Sequence, residues 1–217
     1  MIVALKRVVI TGGMGGLGSS IEKEFRAHSW DVIALGHSDL DVTDTEAVRD
    51  YFSKVVCDLL ICCAGVVKDT PLLRMDEATW DHVFGVNFFG AESCALAATE
   101  GMLKRGGGHV VFISSYAALH PEIGQAAYAA AKAGLLGLTR GLAERYGSQG
   151  VRVNAVLPGF LETGMTEGVS ERRRQEVLKA HVLGELNCVR NVAKFVRFLE
   201  EELPFTSGQV FQLDNRL

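Results

Sequence analysis

Tyr128 and Lys132 stand four residues apart in Tyr128-Ala129-Ala130-Ala131-Lys132, the spacing that brings two side chains to one face of a helix. An ammonium placed there favours the phenolate form of its neighbour and makes the phenol a usable acid near neutral pH. Ser115, thirteen residues before Tyr128, adds a hydroxyl that can donate to a carbonyl oxygen and orient it. Protonation of a developing alkoxide is half of a ketone reduction; the other half needs a hydride donor. Far upstream, Thr11-Gly12-Gly13-Met14-Gly15-Gly16-Leu17-Gly18 follows the apolar Val8-Val9-Ile10 and opens an amphipathic segment. That arrangement seats a dinucleotide pyrophosphate at a helix N-terminus. Gly12, Gly16 and Gly18 permit backbone approaches that a Cβ would block. The two groups together point to a nicotinamide-dependent oxidoreductase.

Other readings of these residues are weaker. With 4 Tyr in the chain, a chance Lys four residues on has odds of roughly one in five. Context defeats that reading, because Ser115 follows an apolar strand whose C-terminal end would line the ligand crevice of a parallel sheet. A serine hydrolase would need a Gly-x-Ser-x-Gly elbow, which Phe112-Ile113-Ser114-Ser115-Tyr116 lacks. His109 and His120 read as residues that cap or flank loops. The glycine segment is no NTPase phosphate loop, since no Gly-Lys-Ser/Thr follows it.

The elements that must position these groups follow from periodicity. Apolar runs predict strands at Arg7–Thr11, Asp31–Leu35, Leu59–Cys62, His109–Ser114, Val151–Leu157 and Gln209–Leu213. Helical segments are expected at Gly18–His28, Asp44–Phe52, Ala78–Lys104, Gln125–Tyr146, Glu171–Leu183 and Asn191–Glu202. Gly90 and Gly101 interrupt the third of these, and Thr43 or Asp44 caps the second. The alternation predicts an α/β fold: a Rossmann-type, doubly wound parallel sheet with helices on both faces. At 217 residues one domain over 1–217 accounts for the chain. Between Leu35 and Asp41 there is no room for a further helix and strand. The sheet is therefore expected to be shortened at one edge, to about six strands, with His37, Ser38 and Asp39 helping to cover that edge.

Composition narrows the partners. A net charge of -4 offers no basic field for nucleic acid. No apolar run reaches membrane-spanning length, and no signal peptide is read at the N-terminus. Cys57, Cys62, Cys63, Cys94 and Cys188 are odd in number and lack metal-ligand spacing, so they read as reduced, mostly buried thiols of a cytoplasmic protein with no metal site.

The motifs resemble those of the short-chain dehydrogenase/reductase family from the first strand to the last. Thr11-Gly12-x-x-x-Gly16-x-Gly18 is similar to that family's glycine signature. In the same order, Asp41-Val42 resembles its adenine-contacting pair, Ala64-Gly65 the end of its Asn-Asn-Ala-Gly motif, and Asn87 its helix asparagine. Ser115, Tyr128 and Lys132 resemble its catalytic serine, tyrosine and lysine. Pro158-Gly159 with Thr163 resembles the segment that closes over the nicotinamide, and Glu162–Leu183, which follows it and leads into a helix, is expected to cover the substrate. From Ala64 onward the similarity is greatest to 3-oxoacyl-[acyl carrier protein] reductases, in Leu72-Leu73-Arg74-Met75 and in Tyr128 to Leu135.

The resemblance implies a cofactor site of Thr11, Gly12, Met14, Gly16, Leu17, Gly18, Asp41, Val42, Ala64, Gly65, Tyr128, Lys132, Pro158, Gly159 and Thr163. Lys132 would also bond the nicotinamide ribose, and Asn87 would hold a water that relays the proton. Gly36, His37 and Ser38 stand at the end of the second strand. The small Gly36 leaves space for a 2′-phosphate, and His37 and Ser38 can donate to it. NADP(H) is therefore favoured over NAD(H), although no Arg or Lys accompanies them. The implied reaction is reduction of a ketone to a secondary alcohol, a 3-oxoacyl thioester in first place, with acyl carrier protein a candidate partner. An NAD-dependent dehydrogenase of a small alcohol, and a cofactor-binding regulator without turnover, are the alternatives.

The pattern departs from the family at Cys62-Cys63, where two asparagines are usual; at Glu185, where relatives often carry Arg; and after the last strand, where Asp214-Asn215-Arg216-Leu217 replaces the usual Gly-Gly. Arg172-Arg173-Arg174 would attract an anionic substrate or carrier protein, or form a solvated helix face, the simpler reading; Lys104 and Arg105 share that ambiguity. Small and apolar residues on several faces of the two long helices predict a homodimer or homotetramer.

Overall fold

The computed structural model describes residues 5–216. Six parallel strands, β1 (Arg7–Thr11), β2 (Asp31–Leu35), β3 (Leu59–Cys62), β4 (Gly108–Ile113), β5 (Val151–Leu157) and β6 (Val210–Gln212), form one sheet in the order β2-β1-β3-β4-β5-β6. All six expected strands are present, and the sheet is shortened on the β2 side as expected. The Rossmann-type architecture follows from the alternation within each strand. Val9, Leu60, Val110 and Phe112 face helices α2 (Thr45–Lys54), α4 (Ala91–Lys104) and α5 (Ala126–Tyr146). Val8, Ile10, Ile61 and Val111 face α1 (Gly16–Ala27) and α7 (Val189–Glu201) on the other side. Strands buried on both faces read as continuous apolar runs, which is why the sequence displays them so plainly.

Three details differ from expectation. The long helix at 78–104 is divided into α3 (Glu77–Phe84), a π-helical stretch Gly85–Gly90, and α4. Gly101 does not interrupt α4, and Gly90 serves packing: a Cβ there would lie 2.6 Å from Val42 Cγ2. At the β2 edge, His37 and Asp39 belong to a turn beyond the strand. The edge is met instead by Arg26 of α1, whose Nη2 donates to the Val32 carbonyl at 3.0 Å. Helix α6 (Glu171–Ala180) stops before the expected Leu183, because His181 leaves it to bridge Arg216 in antiparallel fashion.

The N-terminal ends of the strands carry a buried polar network. Asn154 Oδ1 accepts from the Gln209 amide at 3.1 Å, which turns Asn154 Nδ2 towards Thr206 O (2.9 Å) and His109 Nε2 (3.0 Å). His109 Nε2 must then accept, so Nδ1 carries the proton and donates to Glu200 Oε2 at 2.9 Å. Arg152 and Lys6 complete the partners of Glu200. Burial pushes the pKa of His109 down, against the opposing pull of Glu200, and protonated Nε2 would face an amide donor. A folded pKa below the unfolded value of about 6.5 means that stability is fully present above that pH and declines below it. We expect the unfolding free energy to fall more steeply in wild type than in His109→Gln between about pH 7 and about pH 5. Denaturant titrations across that range measure the two slopes, and parallel slopes would contradict the assignment.

Candidate active site

At the C-terminal ends of the strands lies a cavity of ≈ 1270 Å³. Its floor at one end is the glycine turn. Gly12 has φ +66°, and a Cβ there would stand 2.7 Å from the backbone of Ala64; at Gly18 it would stand 2.3 Å from Gly12 O. These contacts are backbone to backbone and cannot relax by a rotamer change. Helix α1 begins directly after Gly15, which has no side chain to cap it. Its first-turn amides, at Gly16, Leu17 and Gly18 beside the cavity, keep their free donors and the positive end of the helix dipole. This cradle fits a dinucleotide pyrophosphate. Thr163 reaches over it, since a Cβ on Gly16 would lie 2.8 Å from Thr163 Cγ2.

Met14, Gly36 and His37 line the same end. Asp39, hard to place from sequence, turns Oδ2 back to the Gly36 amide at 2.8 Å. Pro158, Gly159 and Gly65 line the cavity further along. Six candidates lie outside its lining: Thr11, Ser38, Asp41, Val42, Ala64 and Asn87. Thr11 Oγ1 accepts from the Ala64 amide at 3.4 Å, so both residues support the glycine turn from behind. Asp41 spends its carboxylate on Thr43, whose hydroxyl donates at 2.7 Å and amide at 2.9 Å. Those bonds hold its pKa below the usual value. Val42 is buried against Gly90.

Ser115, Tyr128 and Lys132 converge in the middle of the cavity. Ser115 closes β4 and caps the following turn, accepting from the Ala117 amide at 3.1 Å. Lys132 Nζ donates to Ile113 O at 2.8 Å, while Ser114 Oγ donates to Lys132 O at 2.8 Å. Burial pushes the Lys132 pKa down to about 8, with Cys63 and Cys62 opposing. Tyr128 is half-buried, and desolvation raises its pKa although a hydrogen bond with Ser115 pulls it down. Lys132 was expected to depress that phenol. In the structure its Nζ is 5.8 Å from the ring centroid and donates to Ile113 O, and desolvation outweighs the Ser115 hydrogen bond, so the phenol's pKa lies above its ordinary value.

Asn87 sits in the π-helical stretch, behind the cavity wall. Its Nδ2 donates to Val66 O and Val83 O, each at 2.8 Å. Its buried Oδ1 has no partner among the described residues. A Cβ added at Gly65 would meet that Oδ1 at 2.9 Å and Lys132 Nζ at 3.7 Å, so the unpaired oxygen and the ammonium border the same gap. That geometry fits a bridging water, which would serve an otherwise unsatisfied acceptor. Of the two unusual cysteines, Cys62 points into the core and donates to Ala91 O at 3.6 Å. Cys63 lines the cavity, and burial pushes its thiol up to about 11.

Sequence reasoning missed the opposite wall: Tyr116, His120, Phe160 and Arg216 all line the cavity. Arg173 does too, but it is paired with Glu122 and Glu176, while Arg172 and Arg174 pair with Glu176 and Glu162. No spacing signal joins these segments; only tertiary packing does. Among the described residues, no cluster of three or more His, Cys, Asp or Glu is placed to hold a metal, and no helix is long and apolar enough to cross a membrane.

Glycine cradle, uncapped helix and Ser-Tyr-Lys convergence on a doubly wound sheet define a nucleotide-dependent oxidoreductase site, and comparison with known proteins agrees. The family profile described as Enoyl-(Acyl carrier protein) reductase matches residues 16–215. The chain belongs to the short-chain dehydrogenase/reductase family and is an oxidoreductase that binds NAD(P). It is 33% identical to the 3-oxoacyl-[acyl-carrier-protein] reductase FabG of Thermotoga maritima, across 98% of this chain and 97% of that protein. It is 29% identical to FabG of Escherichia coli K12, across 96% of each. A candidate NAD(P)-dependent gluconate 5-dehydrogenase from Beutenbergia cavernae, solved with NADP at low occupancy, superposes with a TM-score of 0.94. It is 25% identical and spans 98% of this chain and 96% of its own.

Proposed function

We propose that this protein is an NADPH-dependent ketone reductase acting on a 3-oxoacyl thioester. The observation that carries the reading is the meeting of Ser115, Tyr128 and Lys132 in one cavity with the glycine cradle. When bound, the nicotinamide supplies the hydride. Ser115 donates to the substrate carbonyl oxygen and aligns it with Tyr128, which gives up its phenolic proton as charge develops there. Lys132⁺ stabilises the phenolate so formed, and the water held between Lys132 and Asn87 Oδ1 returns the proton. A regulator without turnover has no need for an unpaired acceptor beside a buried ammonium.

The preference for NADPH rests on the second-strand turn. His37 lines the ribose end and can donate to a 2′-phosphate, while Asp39 bonds the Gly36 amide without lining the cavity; the space directly beside Gly36 is taken by Met14, whose Cγ would lie 2.9 Å from a Cβ there. The thioester assignment rests on the FabG relatives, and acyl carrier protein is proposed as its carrier. Arg172, Arg173 and Arg174, paired with Glu122, Glu162 and Glu176, lend that carrier no support, and read as a helix face satisfied within the chain. The likeness to a candidate NAD(P)-dependent gluconate 5-dehydrogenase favours a second reading, oxidation of a small hydroxy compound with NAD(P), which a comparison of redox pairs separates from the first. The five unpaired cysteines support a reducing, cytoplasmic setting.

With an acetoacetyl thioester, wild type should oxidise NADPH faster than NADH. Tyr128→Phe should lower kcat by about 10²–10⁴-fold while cofactor binding survives; undiminished turnover in that variant would remove Tyr128 from the mechanism. The ammonium of Lys132 must be charged to stabilise the phenolate. Reduction, followed as kcat/KM for the carbonyl substrate, should therefore fall as pH rises through about 8, and a flat profile across that region would oppose the assignment. We further propose a homo-oligomer. Phe89 and Leu96 are exposed at 55% and 40% on the π-helical stretch and α4, and a Cβ at Gly137 or Gly141 of α5 would meet nothing within 4 Å. Sedimentation at micromolar concentration should give a dimer or tetramer rather than a monomer.

A further inference from the structure

Beyond β6 the chain turns back across the cavity and lays one guanidinium on its wall. Arg216 lines the cavity, with Cζ 3.4 Å from the centroid of the Tyr116 ring, the residue directly after Ser115. Its Nε donates to Asp214 Oδ2 at 2.7 Å, and Nη2 shares the same oxygen. The Asp214 side chain is fully buried, that of Arg216 only 8% exposed. Gln212 Nε2 holds the other carboxylate oxygen of Asp214 at 3.0 Å. The segment is fixed on both sides. A Cβ on Gly159 would overlap Asp214 Cβ at 2.4 Å, and Asn215 accepts from the Val182 and Leu183 amides at 3.1 and 3.2 Å.

The guanidinium is thus immobilised on its face and along one edge. The edge bearing Nη1 has no acceptor among the described residues. The other Lys and Arg of the lining are differently occupied: Lys132 by Ile113 O, Arg173 by Glu122 and Glu176. A buried Arg–Asp pair that served only the fold would direct its donors to acceptors. Here a planar fork, of the geometry that matches carboxylate and phosphate oxygens, is held rigidly at the edge of a cavity.

We propose that Arg216 is a substrate-recognition residue, whose free edge binds an oxygen anion carried by the carbonyl substrate. That anion is the carboxylate of an oxo acid or the phosphate of a pantetheine-type thioester, and the two share the same chemistry at Arg216. The inference deepens the ketone-reductase reading and rests on it for where the reacting carbonyl lies, while the anion site itself rests on the geometry of Arg216.

Calorimetric binding to the NADP⁺-loaded protein, which has no hydride to deliver, tests it with three probes: acetoacetate, acetoacetyl-pantetheine 4′-phosphate and the neutral acetoacetyl-N-acetylcysteamine. Wild type is compared with Arg216→Lys, which can still pair with Asp214, and with Arg216→Met combined with Asp214→Asn, which leaves no buried charge unpaired. Binding of at least one anionic probe should weaken by roughly 10- to 100-fold in both variants, and by at least ten-fold more than binding of the neutral probe. The anion that responds identifies the source. Equal losses on all three probes, or wild-type affinity no higher for the anions than for the neutral thioester, would overturn the inference. Turnover of the same probes is read separately. Arg216-dependent binding without reduction would sink the reductase reading and leave the anion site standing; reduction indifferent to Arg216 would do the reverse.

Discussion

Two reciprocal hydrogen bonds fasten helix α5 to the end of strand β4, and the geometry of the site depends on them. Ser114 Oγ donates to the Lys132 carbonyl, and Lys132 Nζ donates to the Ile113 carbonyl, both at 2.8 Å. They fix the rotation and the height of α5 against the sheet, so that Tyr128, one turn earlier, meets Ser115, one residue beyond Ser114. The contact is close because α5 presents small residues there: Ala127, Ala129 and Ala131 are all buried. Burying an ammonium is costly, and the carbonyl bond together with the lowered pKa offsets that cost only in part. In the proposed mechanism that residual preference for a further partner on Lys132 is what a developing phenolate would meet.

The π-helical stretch stores a related tension. A wide turn is a recurrent feature of functional sites, and here it carries Asn87. The side-chain amide closes two backbone carbonyls, Val66 O from the loop after β3 and Val83 O from α3. Its other oxygen is left without a protein partner. An unsatisfied buried acceptor costs on the order of 1–3 kcal/mol. A water bridging it to Lys132 would relieve both groups, joining the local cost of the wide turn to the supply of protons. The structural demand on Asn87 is plain, since its bond to Val66 O holds the loop after β3, from which Gly65, Val66 and Val67 line the cavity.

Much of this was legible in the sequence, for identifiable reasons. The strands showed because burial on both sheet faces leaves unbroken apolar runs such as Val8-Val9-Ile10 and Leu59-Leu60-Ile61. The glycine turn and the Tyr128–Lys132 pair showed because their spacing is set by local geometry within a single element. The π-helical stretch did not show, since one wide turn preserves the amphipathic pattern on either side of it. Nor did the cover of the β2 edge: a single bond from Arg26 to Val32 O replaces the run of polar residues that was expected to shield it. Asp41 was assigned to the cofactor by position in a motif; what the structure adds is that its Oδ1 accepts both the amide and the hydroxyl of Thr43 in the turn leading to α2.

Apart from the expected cover Glu162–Leu183, which supplies Val169, Arg173 and Val177 to the lining, the substrate side of the cavity resisted sequence reading for a deeper reason. The nucleotide side is built from residues whose neighbours in space are neighbours in sequence, or lie on adjacent strands of the sheet. The opposite wall is assembled from Tyr116 after β4, Phe160 after β5, Val177 of α6 and Arg216 after β6, joined by contacts that leave no periodic trace. His181 and Arg216 pair across 35 residues (216 minus 181), and Asn187 Nδ2 ties Pro158 O to Leu213 O. Such a wall can change one segment at a time without disturbing the cradle or the Ser-Tyr-Lys geometry. Proteins about a quarter to a third identical can therefore share a sheet at a TM-score of 0.94 while bearing the names of different dehydrogenases and reductases. In the proposed mechanism the chemistry belongs to the end of β4 and to α5, and the choice of substrate to the way Asp214 and Arg216 pack against Gly159 and Tyr116.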